Sequence, residues 1–174
     1  MPKSTTLVYW LIPTKQQRDF FSEAIRILSK QFNAPRFEPH LTILVTPEIG
    51  LPPRKILKQI RTFPISLGVR GIGFSSKFRK TLFVRFTSNK SLAKLVVDLA
   101  RETRSHAKSV HDPHVSLIYK KMPTSTKEQL ASTIQLPFST VLFDSIKAVR
   151  CASPTKTRSD VEEWHVVAKK SLRS

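Results

Sequence analysis

Two short stretches of this chain carry residues able to do acid–base chemistry on a phosphate ester. Pro39-His40-Leu41-Thr42-Ile43-Leu44 occurs again, in altered form, as Pro113-His114-Val115-Ser116-Leu117-Ile118. Each copy has a histidine, one spacer and a small hydroxyl residue, followed by apolar residues that favour strands. In a strand, residues i and i+2 share a face, so His40 projects beside Thr42, and His114 beside Ser116. Two imidazoles facing one cleft can serve as general base and general acid on a phosphodiester. Hydroxyls beside them can hold non-bridging phosphate oxygens and stabilise the charge that builds there. No metal and no cofactor is needed: one ring removes a proton from an in-line water and the other protonates the leaving oxygen.

The elements that position these residues can be followed along the chain. The apolar run Leu7–Ile12, closed by Pro13, predicts a buried strand. Thr14 and Gln17 are spaced for a capping box, and Phe20, Phe21, Ala24, Ile25, Leu28 and Phe32 follow at helical spacing to about Asn33. The first motif strand covers His40–Thr46. A short helix is expected within Leu51–Thr62, and a strand bent by its glycines over Pro64–Phe74. After a basic turn at Ser75–Lys80 comes a strand at Thr81–Phe86. Asn89 then caps a helix carrying Leu92, Leu95, Val96 and Leu99 to about His106. The second motif strand covers His114–Lys120. A short helix follows at Thr124–Ile134, a long strand at Pro137–Cys151, a polar loop at Ser153–Glu163 and a last strand at Trp164–Lys170.

The layout therefore repeats: strand, helix, motif strand, short helix, strand. Leu7 precedes His40 by 33 residues and Leu82 precedes His114 by 32. The residues themselves are scarcely alike outside the motifs, so the repeat is one of spacing. One domain with halves at about 5–75 and 80–151, closed by a strand at 164–170, would set the two motif strands face to face about a pseudo-two-fold axis. One histidine would then come from each half.

Composition narrows the partners. Thirty Lys and Arg against twelve Asp and Glu give a formal net charge of +18. Such a field concentrates anions, and points to nucleotides or to RNA across a basic surface. No stretch is long and apolar enough for a membrane span, and the N-terminal run is too short for a signal peptide, so a cytoplasmic monomer is expected. Cys151 is the only cysteine, which rules out a disulfide framework and a thiolate metal cluster. His106, His111 and His165 lack the neighbours that would make them ligands or catalysts.

The paired His-x-Thr/Ser motifs resemble those of the 2H phosphoesterase superfamily, and the chain looks most similar to its plant and fungal cyclic nucleotide phosphodiesterases. The second motif continues to Tyr119, as that family's does. Val8-Tyr9-Trp10-Leu11-Ile12-Pro13 and Trp164-His165-Val166-Val167-Ala168 are similar to its first and last strands. The resemblance implies an α+β fold, bilobal, with two antiparallel sheets around a central cleft and helices outside. It implies that His40 and His114 are catalytic, that Thr42 and Ser116 bind phosphate, and that Tyr119 and Trp10 line a nucleotide pocket. Tyr119 lies an odd number of residues from both His114 and Ser116, so only a twist or bend of its strand brings it to their face. The implied activity is hydrolysis of ADP-ribose 1″,2″-cyclic phosphate and of nucleoside 2′,3′-cyclic phosphates, the latter to the 2′-phosphate. The additional cysteines of the plant proteins are missing, so control by a disulfide does not carry over.

Two rival functions follow from the same residues. The high charge suits an RNA-end enzyme acting on 2′,3′-cyclic termini or 2′-5′ linkages, with Lys77, Arg79, Lys80, Lys120 and Lys121 placed to flank the cleft. A non-catalytic RNA-binding module would use the charge alone, but 9% aromatic residues offer no visible stacking platform.

Overall fold

A computed structural model describes residues 4–106 and 110–173. Strand β1 spans Ser4–Pro13, helix α1 Lys15–Phe32, β2 Leu41–Pro47, α2 Pro53–Gln59 and β3 Ile65–Phe74. A single 3-10 turn at Phe78–Lys80 leads to β4 at Leu82–Phe86 and α3 at Lys90–Thr103. Then come β5 at His114–Ile118, α4 at Thr124–Thr133, β6 at Thr140–Ser153, α5 at Arg158–Glu162 and β7 at His165–Ser171. Every expected strand and long helix is present, with ends displaced by a few residues.

All strand pairings are antiparallel, in the order β2-β1-β6-β3-β4-β5, with β7 also on β6. The third strand of each half crosses over. Strand β6 pairs with β1 along most of its length, while β3 leaves β6 after Gly68 to pair with β4 from Val69 onward. A register shift at Arg70 makes that change of partner, and Gly71 takes a φ of 128°, a conformation open to glycine. The two expected antiparallel sheets are thereby joined through one bent strand. The motif strands β2 and β5, at opposite ends of the order, pack against each other. Helix α1 lies on β5 and α3 on β2, each across from its own half.

Strand β1 reads as an unbroken apolar run because both its faces are covered. Leu7, Tyr9 and Leu11 enter the main core with Phe21, Leu28, Leu95, Leu99 and Phe143. Val8, Trp10 and Ile12 face the other way, with Val149, Cys151 and Trp164. Period-two alternation puts these two sets on opposite sides of the sheet.

Two local expectations are corrected. Thr14 stands at the N-cap of α1 without making a side-chain cap bond. Gln17 instead reaches β6, donating to the Thr140 carbonyl and accepting from the Leu142 amide, both at 2.8 Å. The strand edge offers unpaired main-chain groups and wins the amide. The segment Ser153–Glu163 is not a plain loop: Thr157 and Asp160 form a reciprocal capping box that starts α5. Five residues are too few to show helical periodicity, so only the cap could have announced that helix.

Candidate active site

Each motif holds its histidine in the same way. His40 immediately precedes β2, and its Nδ1 lies 2.7 Å from the carbonyl oxygen of Glu38. His114 opens β5, with Nδ1 2.8 Å from the carbonyl of Asp112. A carbonyl only accepts, so Nδ1 carries the proton in both rings and Nε2 is the nitrogen left for chemistry. The intervening Pro39 and Pro113 are buried, with φ fixed by the ring and the preceding residue held extended. The same two residues anchor the motifs through their side chains. Glu38 pairs with Lys147, and Asp112 with Lys80 and, at 3.3 Å, with Arg85. Burial pushes the Asp112 carboxyl up, but Lys80 and Arg85 more than offset it and hold it below the ordinary range. An acid two residues before each histidine, Glu38 and Asp112, is thus part of the sequence repeat.

The two motif strands also bulge at equivalent positions. Trp10 pairs with Thr42 but Tyr9 with Leu44, leaving Ile43 as the extra residue of β2. Phe83 pairs with Ser116 but Leu82 with Ile118, leaving Leu117 extra in β5. A bulge shifts the alternation by one residue. Val45 therefore joins His40 and Thr42 on the cleft face, and Tyr119 joins His114 and Ser116. This is the bend that Tyr119 needed.

Behind each ring stands an aromatic side chain from the neighbouring strand, opposite the hydroxyl residue of the motif. Trp10 stacks on His40 at 3.7 Å between centroids and 15° between planes. Phe83 meets His114 edge-on at 5.3 Å, its own ring held close over Gly73, where a Cβ would lie 2.8 Å from it. The equivalence ends at the bulge. Tyr119 Oη sits 3.4 Å from His40 Nε2, whereas its counterpart Val45 offers His114 no polar atom. Since Nε2 carries no proton, the phenol donates. Burial raises the Tyr119 pKa, the nearby Ser116 hydroxyl opposing it, so the phenol stays protonated at neutral pH.

The rings differ in charge propensity accordingly. Burial lowers the His40 pKa to about 4, opposed by the Glu38 carbonyl and reinforced by repulsion from His114. His114 is lowered too, first by burial, with Lys80 opposing its charge and Asp112 favouring it. The ring of His114 is partly exposed while that of His40 is buried.

All six residues expected at the site line one cleft of about 820 Å³: Trp10, His40, Thr42, His114, Ser116 and Tyr119. Thr42 is exposed to it, and Ser116 Oγ donates to the Arg79 carbonyl at 2.9 Å. Trp10 reaches the cleft as the floor beneath His40 more than as an open stacking surface. Of the expected cations, Lys77, Arg79, Lys80 and Lys121 line the cleft and Lys156 joins them. Lys120 turns away to the Phe32 carbonyl. His106, His111 and His165 are exposed and lie outside it. Trp164, edge-on to Trp10, His40 and Tyr119, and Phe37, stacked on Tyr119 at 4.0 Å, complete an aromatic wall that sequence reasoning did not assemble. Among the described residues no three His, Cys, Asp or Glu side chains converge to hold a metal ion, and no helix is long and apolar enough to cross a membrane.

No family model and no curated relative matches this sequence. Solved structures do. Escherichia coli LigT complexed with 3′-AMP aligns with a TM-score of 0.58 at 14% identity, over 99% of this chain and 100% of LigT. The chain has the LigT fold. That is the α+β, 2H phosphoesterase-like architecture that the paired motifs led us to expect. A phosphoesterase aligns equally well, with a TM-score of 0.58 at 15% identity over 99% and 100% of the two chains. TT0787 of Thermus thermophilus aligns at 0.53 with 17% identity, over 97% and 98%.

Proposed function

We propose that this protein is a metal-independent cyclic phosphodiesterase of the 2H type. Its substrates are nucleoside 2′,3′-cyclic phosphates and ADP-ribose 1″,2″-cyclic phosphate, and the former open to the 2′-phosphate. The observation that carries this reading is the paired tautomer lock: both Nδ1 atoms are committed to main-chain carbonyls, which leaves two Nε2 atoms in one cleft. The LigT fold and the complex of LigT with 3′-AMP support it.

The difference between the rings supports one division of roles. His40 is buried and neutral, and once the attacking water replaces the Tyr119 hydroxyl at Nε2, that nitrogen's lone pair takes the proton of the water. The water oxygen bonds to phosphorus as the bond to one ribose oxygen breaks. His114, more exposed and backed by Asp112, takes on a proton more readily once an anionic phosphate is bound. It gives that proton to the departing oxygen. Thr42 and Ser116 donate to the non-bridging oxygens, the serine by turning its hydroxyl from the Arg79 carbonyl. Exchange with solvent then resets both rings.

The five cations on the cleft favour a second reading within the same chemistry, an RNA-end enzyme acting on 2′,3′-cyclic termini or 2′-5′ linkages. Against a non-catalytic RNA-binding module stand two histidines held alike through Nδ1, which leaves each Nε2 as the nitrogen for chemistry. Turnover of 2′,3′-cyclic AMP, ADP-ribose 1″,2″-cyclic phosphate and a cyclic-ended oligonucleotide in EDTA tests these alternatives. We expect EDTA-insensitive opening of the small substrates. Turnover of the oligonucleotide alone would establish the second reading, and failure on all three would return the case to the binding module.

A further inference from the structure

A second cavity, of about 340 Å³, adjoins the cleft and is used by none of the chemistry above. Trp10 and Trp164 line both spaces, so this pair forms the wall between them. The floor is the cleft-side face of the sheet, where Val149 of β6 pairs with Val166 of β7. Val161 and Glu162 of α5 close one side, and the segment Arg36–Glu38 the other. The cavity thus offers flat aromatic flanks, an aliphatic floor and a rim of Arg36, Glu38 and Glu162.

We infer that this cavity is a subsite for a nucleobase remote from the reacting phosphate. The inference rests on the cyclic phosphodiesterase reading, because it takes the reacting phosphate to lie between His40 and His114. The chemistry of the lining selects the ligand. A base has two apolar faces, suited to Phe37, Trp164 and the valines, and every base can stack on an aromatic ring. Its polar edge carries N–H groups that can donate to the second carboxylate oxygens of Glu38 and Glu162, whose first oxygens pair with Lys147 and Arg158. The backbone leading to the base can meet Arg36 at the rim. The shared tryptophan wall supplies the continuity: a substrate that fills the cleft needs only to pass the edge of Trp164 to enter.

Two kinds of substrate carry such a base, a dinucleotide with a cyclic end and ADP-ribose cyclic phosphate, whose adenine lies beyond the pyrophosphate. The test compares kcat/KM for each with that for 2′,3′-cyclic AMP, in wild type and in Val166→Phe. Val166 is 41% exposed on β7 and lines only the smaller cavity, so a ring there fills the space without touching the histidines. Glu162→Ala, on the exposed face of α5, provides a second variant. In wild type at least one of these two substrates should be favoured roughly ten- to a hundredfold. Val166→Phe should reduce that preference to near unity with turnover of 2′,3′-cyclic AMP unchanged, and Glu162→Ala should reduce it in part. Which substrate loses its advantage identifies the source of the base. A preference unaltered in Val166→Phe, or none in wild type, would overturn the subsite. Calorimetric binding of adenylyl-adenosine 3′-phosphate against 3′-AMP separates this from the catalytic reading. Tighter binding of the dinucleotide that Val166→Phe abolishes supports the subsite even if no cyclic phosphate is turned over, and equal binding refutes it.

Discussion

Replacing His40 with asparagine should change how stability depends on pH, by an amount that follows from the burial of the ring. The asparagine amide can still donate to the Glu38 carbonyl, so the main-chain anchor survives while the titrating group is lost. In the folded chain His40 has its pKa lowered from 6.5 to about 4. Below pH 6.5 the unfolded chain takes up a proton that the folded chain refuses, so wild type loses stability as pH falls. The loss continues to the folded value near 4, below which both states are protonated and it is complete. At ~1.4 kcal/mol per unit, the full loss lies between about 3 and 4 kcal/mol. His40→Asn lacks this component and keeps all the others, including those of His114 and Asp112. Urea unfolding at intervals from pH 7.5 to 4 should therefore show the advantage of wild type over the variant shrinking by about 3 kcal/mol, nearly all of it between pH 6.5 and 4. A difference that stays constant over that range would mean that the ring is not held neutral, and the assignment of His40 as base would fall with it.

Tyr119→Phe removes the donor to Nε2, which favours the neutral ring, so the acidic limb of the kcat/KM profile should move up by about half to one pH unit. An unmoved limb would show the phenol to be a bystander. Lys80→Met takes away a charge that opposes protonation of His114, so an NMR titration of the ring should give a higher pKa than in wild type; a lower one would put the loss of Asp112 anchoring first. Thr42→Val and Ser116→Ala should each lower kcat, by up to roughly a hundredfold, with a smaller change in KM. Effects confined to KM would make these hydroxyls binding groups with no part in stabilising the transition state.

The succession of strands and helices along the chain and the four motif residues were legible because they depend on short-range patterns. His40 with Thr42, and His114 with Ser116, needed only the two-residue alternation of a strand. Tyr119 was not legible in that way, because its place depends on the bulge at Leu117, and nothing in Leu117 or Ile43 marks an extra residue in the ladder. The acids Glu38 and Asp112 lay open to view two residues before each histidine. Their work is done by carbonyls and by distant Lys147, Lys80 and Arg85, which only the fold brings near. Trp164 was visible as part of a strand, but its contacts with Trp10, His40 and Tyr119 arise from α5 and the turn before it, a stretch that reads as polar loop. The crossing of β3 and β6 between the halves was likewise beyond a repeat of spacing, since equal intervals say nothing about which strands pair.

In the proposed mechanism two histidines act as one unit on a single phosphate. Turnover of 2′,3′-cyclic AMP by wild type, His40→Asn, His114→Asn and the double variant tests it directly. Each single change should lower kcat/KM by roughly 10²- to 10⁴-fold, and the double variant should fall little further than the worse single one, because either loss already disables the pair. Wild-type turnover in either single variant, or losses that multiply in the double, would rule out such a unit.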